Sequence, residues 1–160
     1  MKNKFKSQIY ILTAFFAIAI FSCSSNKSDE QQNAKENIIA EEEDYRRILT
    51  TACTAYNDSL PKTLNDGTIM KSCKLYGYSI LYVIEVQELS KEELQAKKEA
   101  LFQDIVEMLA ISFDVNRQTI KLMRNEGYDF AFKYVDPNGR FLMKINISPK
   151  NILEVLDDDI

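Results

Sequence analysis

Apolar side chains recur every three or four residues in the stretch after residue 37, which is the spacing of one face of an α-helix. The residues on this face are Tyr45, Ile48, Leu49, Ala52 and Tyr56. The pattern predicts an amphipathic helix from Ile38 to about Tyr56. The next segment, 57–67, is dense in residues that interrupt regular structure, and it predicts a loop.

Two strands are predicted after this loop, over 68–75 and 78–86, with Gly77 marking the turn between them. In the second strand the residues directed to one side are Tyr78, Ile80, Tyr82, Ile84 and Val86. A period of two residues is typical of a strand that buries one face and exposes the other.

Two helices are predicted next. Ser90 followed by Glu93 has the pattern of a capping box, in which each residue satisfies a backbone N–H of the first helical turn. The apolar face of this helix comprises Leu94, Leu101, Phe102, Ile105, Met108 and Leu109. A second helix is predicted from Asp114 to Glu126, with Gly127 as its C-terminal cap.

The last part of the chain predicts a β-hairpin around the turn sequence Asp136-Pro137-Asn138-Gly139. One alternating stretch comprises Tyr128, Phe130, Phe132 and Tyr134, and the other comprises Phe141, Met143, Ile145 and Ile147. Pro149 ends the second strand, and residues 151–156 predict a short final helix.

The order of elements is therefore helix, two strands, two helices, two strands and a short helix. Strand pairs separated by helices favour an α+β domain. We predict an antiparallel sheet of about four strands, in two hairpin-like pairs, with the helices packed on one face.

The N-terminal stretch has a different pattern. A cationic start precedes an apolar run of 13 residues from Ile9 to Phe21. A helix that crosses a bilayer needs about 20 residues, so residues 1–22 are predicted to be a signal peptide. An ordinary secretory peptide and an uncleaved anchor are the alternatives to the interpretation that follows.

The sequence Ile20-Phe21-Ser22-Cys23 resembles the lipobox of bacterial lipoproteins. The resemblance implies that Cys23 is diacylated on its sulfur and becomes the acylated N-terminus. Several acyl chains hold a protein stably on a membrane, because each buried CH₂ contributes roughly 0.8 kcal/mol. Ser24 after the cysteine implies delivery to the outer membrane, as in the enterobacterial pattern.

Residues 23–37 lack periodicity and predict a flexible tether, followed by one folded domain over 38–157 and an acidic tail over 158–160. Within the tether, Lys27-Ser28-Asp29-Glu30 resembles the export tags of surface lipoproteins in the Bacteroidota. The predicted location is the cell envelope, on the periplasmic face or the cell surface.

Charge and composition exclude several functions. The chain has 20 basic and 24 acidic residues, and because three lysines and no acids precede Cys23, the processed chain has a net charge of −7. An acidic chain is a poor candidate for binding nucleic acid, which requires a basic surface. The chain contains no histidine, the commonest general base and metal ligand, and no cofactor is predicted.

Cys53 and Cys73 remain after Cys23 is assigned to the lipid. Outside the cytosol two such cysteines are expected to pair, and this disulfide would join the first helix to the first strand. A loop of this size predicts about 3 kcal/mol of stabilisation. Two buried thiols are the alternative, and a catalytic thiol is disfavoured because no histidine is present to activate it.

No catalytic motif stands out. A Ser-His-Asp triad is excluded by composition, and no Ser-x-x-Lys motif lies at a suitable helix start. Glu85, Asp104 and Asp129 are acids of the kind that cleave sugars in pairs, but no spacing singles out a pair. The four glycines mark turns and form no phosphate-binding loop.

Aromatic residues crowd one face of the predicted sheet: Tyr76, Tyr78, Tyr82, Tyr128, Phe130, Phe132, Tyr134 and Phe141. This face is expected to pack under the helices, and Tyr76 and Tyr78 beside Gly77 are the residues expected to emerge as an exposed binding surface. Separately, Asp58-Ser59-Leu60 resembles the O-glycosylation signal of Bacteroidota envelope proteins, which implies a glycan on Ser59.

The run from Cys53 to Cys73, the strand Tyr78-Ser79-Ile80-Leu81-Tyr82 and the later hairpin resemble small secreted or lipid-anchored bacterial domains. The resemblance implies no catalytic residues. The favoured hypothesis is a non-enzymatic binding module on the envelope, whose partner is an envelope protein or a glycan. An inhibitor or immunity lipoprotein, and an enzyme that uses Tyr, Lys or carboxylates on envelope sugars or peptides, are the alternatives.

Overall fold

The structure, a computed structural model, describes residues 34–64 and 66–156. Its helices are α1 (Ala34–Asn57), α2 (Lys91–Ala96), α3 (Lys98–Phe113), α4 (Arg117–Asn125) and α5 (Pro149–Leu156), with a 3₁₀ turn (Asp114–Asn116) between α3 and α4. Its strands are β1 (Lys62–Thr63), β2 (Ile69–Tyr76), β3 (Ser79–Glu85), β4 (Asp129–Val135) and β5 (Phe141–Ile147). The α+β class is as predicted.

The sheet has five strands in the order β1-β2-β3-β4-β5. Both predicted hairpins are present, since β2 pairs antiparallel with β3 and β4 pairs antiparallel with β5. The predicted four-stranded, wholly antiparallel sheet needs two corrections. A two-residue strand β1 extends one edge, and β3 and β4 at the centre are parallel. A parallel pair needs a long crossover connection, and the helices α2 to α4 supply it.

The N-terminal helix α1 begins at Ala34, ahead of the predicted start at Ile38, and its C-terminal end joins the sheet at β2. Strand β1 pairs only with the first two residues of β2. Farther along β2, the side chain of Asn57 takes the place of a neighbouring strand. Its Nδ2 donates to the carbonyl oxygen of Cys73 at 2.6 Å, and its Oδ1 accepts from the Cys73 N–H at 2.7 Å. Asn57 therefore satisfies backbone groups that the edge strand leaves unpaired.

The predicted helix ends are confirmed at two positions. Glu93 N–H donates to the hydroxyl of Ser90 at 3.2 Å, and Ser90 N–H donates back to the Glu93 carboxylate at 2.8 Å, which completes the capping box. Helix α4 ends before Gly127, which adopts a φ of 73°, a conformation that side-chain-bearing residues rarely adopt. The single helix predicted after Ser90 is divided at Lys97 into α2 and α3.

The hydrophobic core lies between the helices and one face of the sheet. The strand residues of this face are buried: Ile80, Tyr82, Ile84, Phe130, Phe132, Tyr134, Met143, Ile145 and Ile147. The aromatic stripe is therefore core, as predicted, except at its ends. Phe141 is 56% exposed because a register shift between Tyr134 and Val135 places it opposite Val135 on the other side of the sheet. Among the helices described, none has the length and apolar character that a bilayer crossing requires.

Aromatic rings connect the sheet to α1 and α3. Tyr82 and Phe132 stack across the parallel pair with centroids 5.0 Å apart, and Tyr56 meets Tyr82 edge-on at 6.1 Å. The hydroxyl oxygens of Tyr45, Tyr56 and Tyr128 are buried without a hydrogen-bond partner in the described part of the chain.

Burial of these rings predicts a loss of stability in alkali. Removal of the side chain from water raises the pKa of Tyr56 from 10.0 to about 12. Since the unfolded chain ionises near 10.0, the contribution of Tyr56 to stability is complete below that pH and is lost as the pH rises to about 12. We expect the protein to unfold over the same pH range in which the absorbance of tyrosinate rises. Circular dichroism measures the unfolding.

Tyr56→Phe is the matched variant for this titration, because phenylalanine keeps the ring and removes an unpaired buried hydroxyl. It should keep more of its stability above pH 10 than the wild type does. Equal loss of stability in the two proteins would show that Tyr56 is not responsible.

Candidate functional site

The side of the sheet that faces away from the core is the candidate site, and we name it the open face. Its members are Ser72, Lys74 and Tyr76 from β2; Ser79, Leu81, Val83 and Glu85 from β3; Asp129, Ala131, Lys133 and Val135 from β4; and Phe141, Lys144 and Asn146 from β5. The strand register aligns these side chains in rows, of which two are Lys74–Leu81–Ala131–Asn146 and Ser72–Val83–Lys133–Lys144.

The middle of the open face is apolar. Leu81 and Val83 are half-buried but are not part of the core cluster, because they lie on the opposite side of β3 from Tyr82. Two large aromatic side chains extend the apolar surface at the ends: Tyr76 is 71% exposed and Phe141 is 56% exposed. Exposed apolar side chains of this kind are suited to contact with another molecule.

Lysines surround this apolar middle, although the chain as a whole is acidic. Lys71, at a bulge in β2, forms an ion pair with Glu85 at 3.0 Å. Lys74, Lys133 and Lys144 form no ion pair or hydrogen bond within the described residues. The open face thus carries three amino groups that no carboxylate of the described domain neutralises.

Lys133 and Lys144 stand directly opposite each other on β4 and β5. Like charges in this position destabilise a sheet. Lysine on an edge strand such as β5 has a known structural use, since it discourages pairing with other chains. That use explains Lys144 but does not explain Lys133, which is half-buried on an interior strand.

Removing one charge of this pair should stabilise the fold. We expect Lys144→Gln to raise the free energy of unfolding by about 0.2–1 kcal/mol, as relief of cross-strand repulsion does. Lys74→Gln is the matched control, because Lys74 faces Leu81 and has no like charge opposite. Denaturant unfolding measures both variants, and an equal gain from Lys74→Gln would show that repulsion within the pair is not the cause.

The turn between β2 and β3 carries the two tyrosines expected to form a binding surface. Gly77 has a φ of 61°, and its carbonyl oxygen accepts a hydrogen bond from Arg46 Nη1 at 3.0 Å. Tyr78 is 51% exposed, and its ring packs against Tyr128 with centroids 5.2 Å apart, on the core side of the sheet. Tyr76 lies on the other side, so only Tyr76 belongs to the open face.

The candidate carboxylates do not converge. Asp129 on β4 is paired with Ser79 on β3, and Glu85 lies six residues after Ser79 on β3. Asp129 and Glu85 are therefore separated by about 20 Å along the strands. Paired carboxylates that cleave sugars lie within about 10 Å of each other. Asp104 is on α3, in the helical layer. Within the described residues, no cluster of acids or cysteines has the arrangement of a metal site.

A groove of about 410 Å³ on the helical side was not found from the sequence. It is lined by Glu107, Ala110, Ile111, Asp114, Arg117, Val155 and Leu156. Its charged residues include an ion pair, with Arg117 Nη2 2.8 Å from Asp114 Oδ1. The only sequence signal for it would have been the two exposed apolar residues, Ile111 and Val155, which come from helices far apart in the chain.

The remaining site residues are placed as follows. Cys53 and Cys73 are brought together, with their sulfur atoms 3.2 Å apart. Ser59 is exposed just after α1, where its hydroxyl donates to the carbonyl oxygen of Tyr56 at 2.7 Å. Cys23 lies outside the described residues.

The amino-acid sequence matches no protein-family profile and no curated protein sequence. The fold is similar to a Pseudomonas aeruginosa protein described as secreted, with a TM-score of 0.57 and 6% identity, over 70% of this chain and 96% of that one.

Two type II secretion system pilotins also match. EpsS of Vibrio vulnificus has a TM-score of 0.47 and 8% identity, over 71% of this chain and 96% of that one. AspS of Vibrio cholerae has a TM-score of 0.48 and 14% identity, over 71% and 97%. At these identities the likeness concerns the fold alone.

Proposed function

We propose that this protein is a lipid-anchored envelope protein, not an enzyme, that binds an acidic segment of a protein partner on its open face. The resemblance of residues 20–23 to a lipobox supports the anchor at Cys23. The tether would hold the folded domain close to the outer membrane and leave the sheet free to meet a partner.

The observation that carries the proposal is the set of unpaired lysines around an apolar middle. Lys74, Lys133 and Lys144 are the groups that carboxylates of a partner would neutralise, and Leu81 and Val83 would receive its aliphatic side chains. A partner that neutralises Lys133 and Lys144 together also removes their repulsion, so binding recovers stability that the free domain lacks.

A binding role fits the described surface better than a catalytic one. Catalysis on sugars or peptides needs groups that converge within hydrogen-bonding reach of one reacting atom. Glu85 and Asp129 are too far apart for this, and the buried tyrosine hydroxyls face the core. The open face instead offers separated charges around an apolar area, which are features of interfaces.

Retention of an envelope protein at different salt concentrations tests the proposal. The purified, full-length protein is immobilised and exposed to detergent-solubilised envelopes of its own cells. We expect one stoichiometric partner to be retained at low salt and released at high salt, because salt screens contacts between exposed charges.

Two double variants make this result specific to the open face. Lys133→Gln/Lys144→Gln should weaken retention at least about tenfold, since each hydrogen bond to a charged group contributes roughly 1.5–3 kcal/mol. Lys98→Gln/Lys121→Gln changes the net charge equally, on exposed helical positions, and should bind as the wild type does. Equal retention by all three proteins would contradict the proposed site.

A further inference from the structure

Cys53 on α1 and Cys73 on β2 face each other in the core. Their Sγ atoms are 3.2 Å apart, and the two residues are 2% and 0% exposed. The structure records them as thiols. A disulfide has an S–S distance of about 2.05 Å, so an approach of little more than 1 Å would bring the sulfurs to bonding distance.

The backbone around the pair is held from both sides. Asn57 lies one helical turn after Cys53 and makes two hydrogen bonds to the backbone of Cys73, at 2.6 and 2.7 Å. On the other side, Cys73 is in register with Tyr82 of β3. The separation of α1 and β2 at this point is therefore fixed independently of the sulfur atoms.

The surroundings are unsuited to thiol catalysis. A catalytic thiol needs a lowered pKa and access to substrate. The Cys73 thiol donates a hydrogen bond to Cys53 Sγ, which raises the pKa of Cys73 and lowers the pKa of Cys53. Neither thiol has access to a substrate, however, because Cys53 and Cys73 are 2% and 0% exposed. The neighbouring titratable groups are Tyr56 and Tyr82, and burial raises the pKa of each, so neither acts as a base near neutral pH.

We propose that Cys53 and Cys73 form a structural disulfide bond in the mature protein. The inference rests on the envelope location given above but not on the identity of the binding partner. The bond would join α1, the helix that follows the lipid tether, covalently to the sheet. Force applied to the tether would then be transmitted to the sheet through this bond as well as through side-chain packing.

Oxidation of the two thiols requires an external oxidant, which here is a molecule that carries a disulfide bond. The thiolate of one cysteine attacks the oxidant's disulfide, forms a mixed disulfide and releases one oxidant thiolate. The second cysteine thiolate attacks the mixed disulfide at the protein sulfur, forms the Cys53–Cys73 bond and displaces the other oxidant thiolate. Two electrons pass to the oxidant, which leaves as a dithiol with the two protons. Because both sulfurs are buried in the folded domain, the exchange must precede closure of the core.

Thiol mapping of the native protein tests the bond. Cells are treated with iodoacetamide, the envelope protein is unfolded in fresh iodoacetamide without reductant, and its peptides are analysed by mass spectrometry. We expect a linked pair of peptides that contain Cys53 and Cys73, lighter than the two free peptides by two hydrogen atoms. Alkylation of both cysteines before reduction would overturn the proposal, and if Cys23 of the same sample carried lipid, the envelope location would still stand.

Stability gives a second measurement. The unfolding equilibrium constant of the oxidised protein should be on the order of 100-fold smaller than that of Cys53→Ala/Cys73→Ala, given the length of the closed loop. Reductant should act slowly on the folded protein, because the bond is buried, and quickly once denaturant is added. A wild-type protein whose unfolding is unchanged by reductant in denaturant would contradict the bond.

Discussion

Phe132→Ala is expected to lower the free energy of unfolding by about 3–5 kcal/mol, which is the usual cost of removing a buried aromatic side chain. Phe132 lies on an interior strand, is 2% exposed and stacks on Tyr82 at 5.0 Å. Truncation leaves a cavity beside Tyr82 in the core, which the neighbouring side chains fill only in part. Small domains have only about 5–15 kcal/mol of stability, so much of it would be lost. Denaturant unfolding measures the change.

Phe141→Ala is the matched control on the neighbouring strand. The same side chain is removed, but Phe141 is 56% exposed and is not part of the core. Surface substitutions usually change stability by no more than about 0.5 kcal/mol. Equal losses from the two variants would mean that the register shift beside Val135 is misplaced and that Phe141 is buried.

Cys23→Ala is expected to move the protein out of the membrane fraction and to abolish labelling by palmitate. The reason is that the proposed acyl chains supply the attachment, since each buried CH₂ contributes roughly 0.8 kcal/mol. Fractionation of cells grown with labelled palmitate measures both effects together.

Cys53→Ala is the control for the loss of a cysteine elsewhere in the chain. It should keep both the palmitate label and the membrane fraction, because Cys53 lies in the core of the domain. A Cys23→Ala protein that stays with the membranes as the wild type does would contradict the proposed anchor.

Local features of the fold could be predicted from the sequence because their causes are local. The capping box of Ser90 and Glu93, the glycine cap at 127 and the hairpin around Asp136 each depend on residues within a few positions of one another. The backbone N–H of Arg140 donates to the Asp136 carboxylate at 2.8 Å. This hydrogen bond, together with the side chain of Arg140 and the N–H of Asn138, holds the pKa of Asp136 below its usual value.

Features that depend on the pairing of distant segments could not be predicted in this way. The alternation in β3 and β4 is the same whether the two strands run parallel or antiparallel, so the pattern left their direction open. The position of Phe141 depends on one register shift, and a shift of one residue reverses the side to which a strand residue points.

In the candidate site too, some features could be predicted from the sequence and others could not. Pairing of Cys53 with Cys73 was expected from the cellular compartment, and the structure adds that their sulfurs are neighbours. The opposition of Lys133 and Lys144 could not be found, because each lysine alone is an ordinary polar residue in an alternating strand. Only the β4–β5 register, together with the parallel pairing that puts Val83 beside Lys133, reveals a row of unpaired charge next to an apolar surface.

Zero-length crosslinking in intact envelopes identifies the lysines of this protein that contact a carboxylate of its partner. A carbodiimide activates a carboxylate, and a lysine amine in contact with it forms an amide bond as the carbodiimide leaves as its urea. We expect crosslinked peptides that join Lys133 or Lys144 to an aspartate or glutamate of one partner protein. Crosslinks confined to helical lysines such as Lys121, with none on the open face, would contradict it.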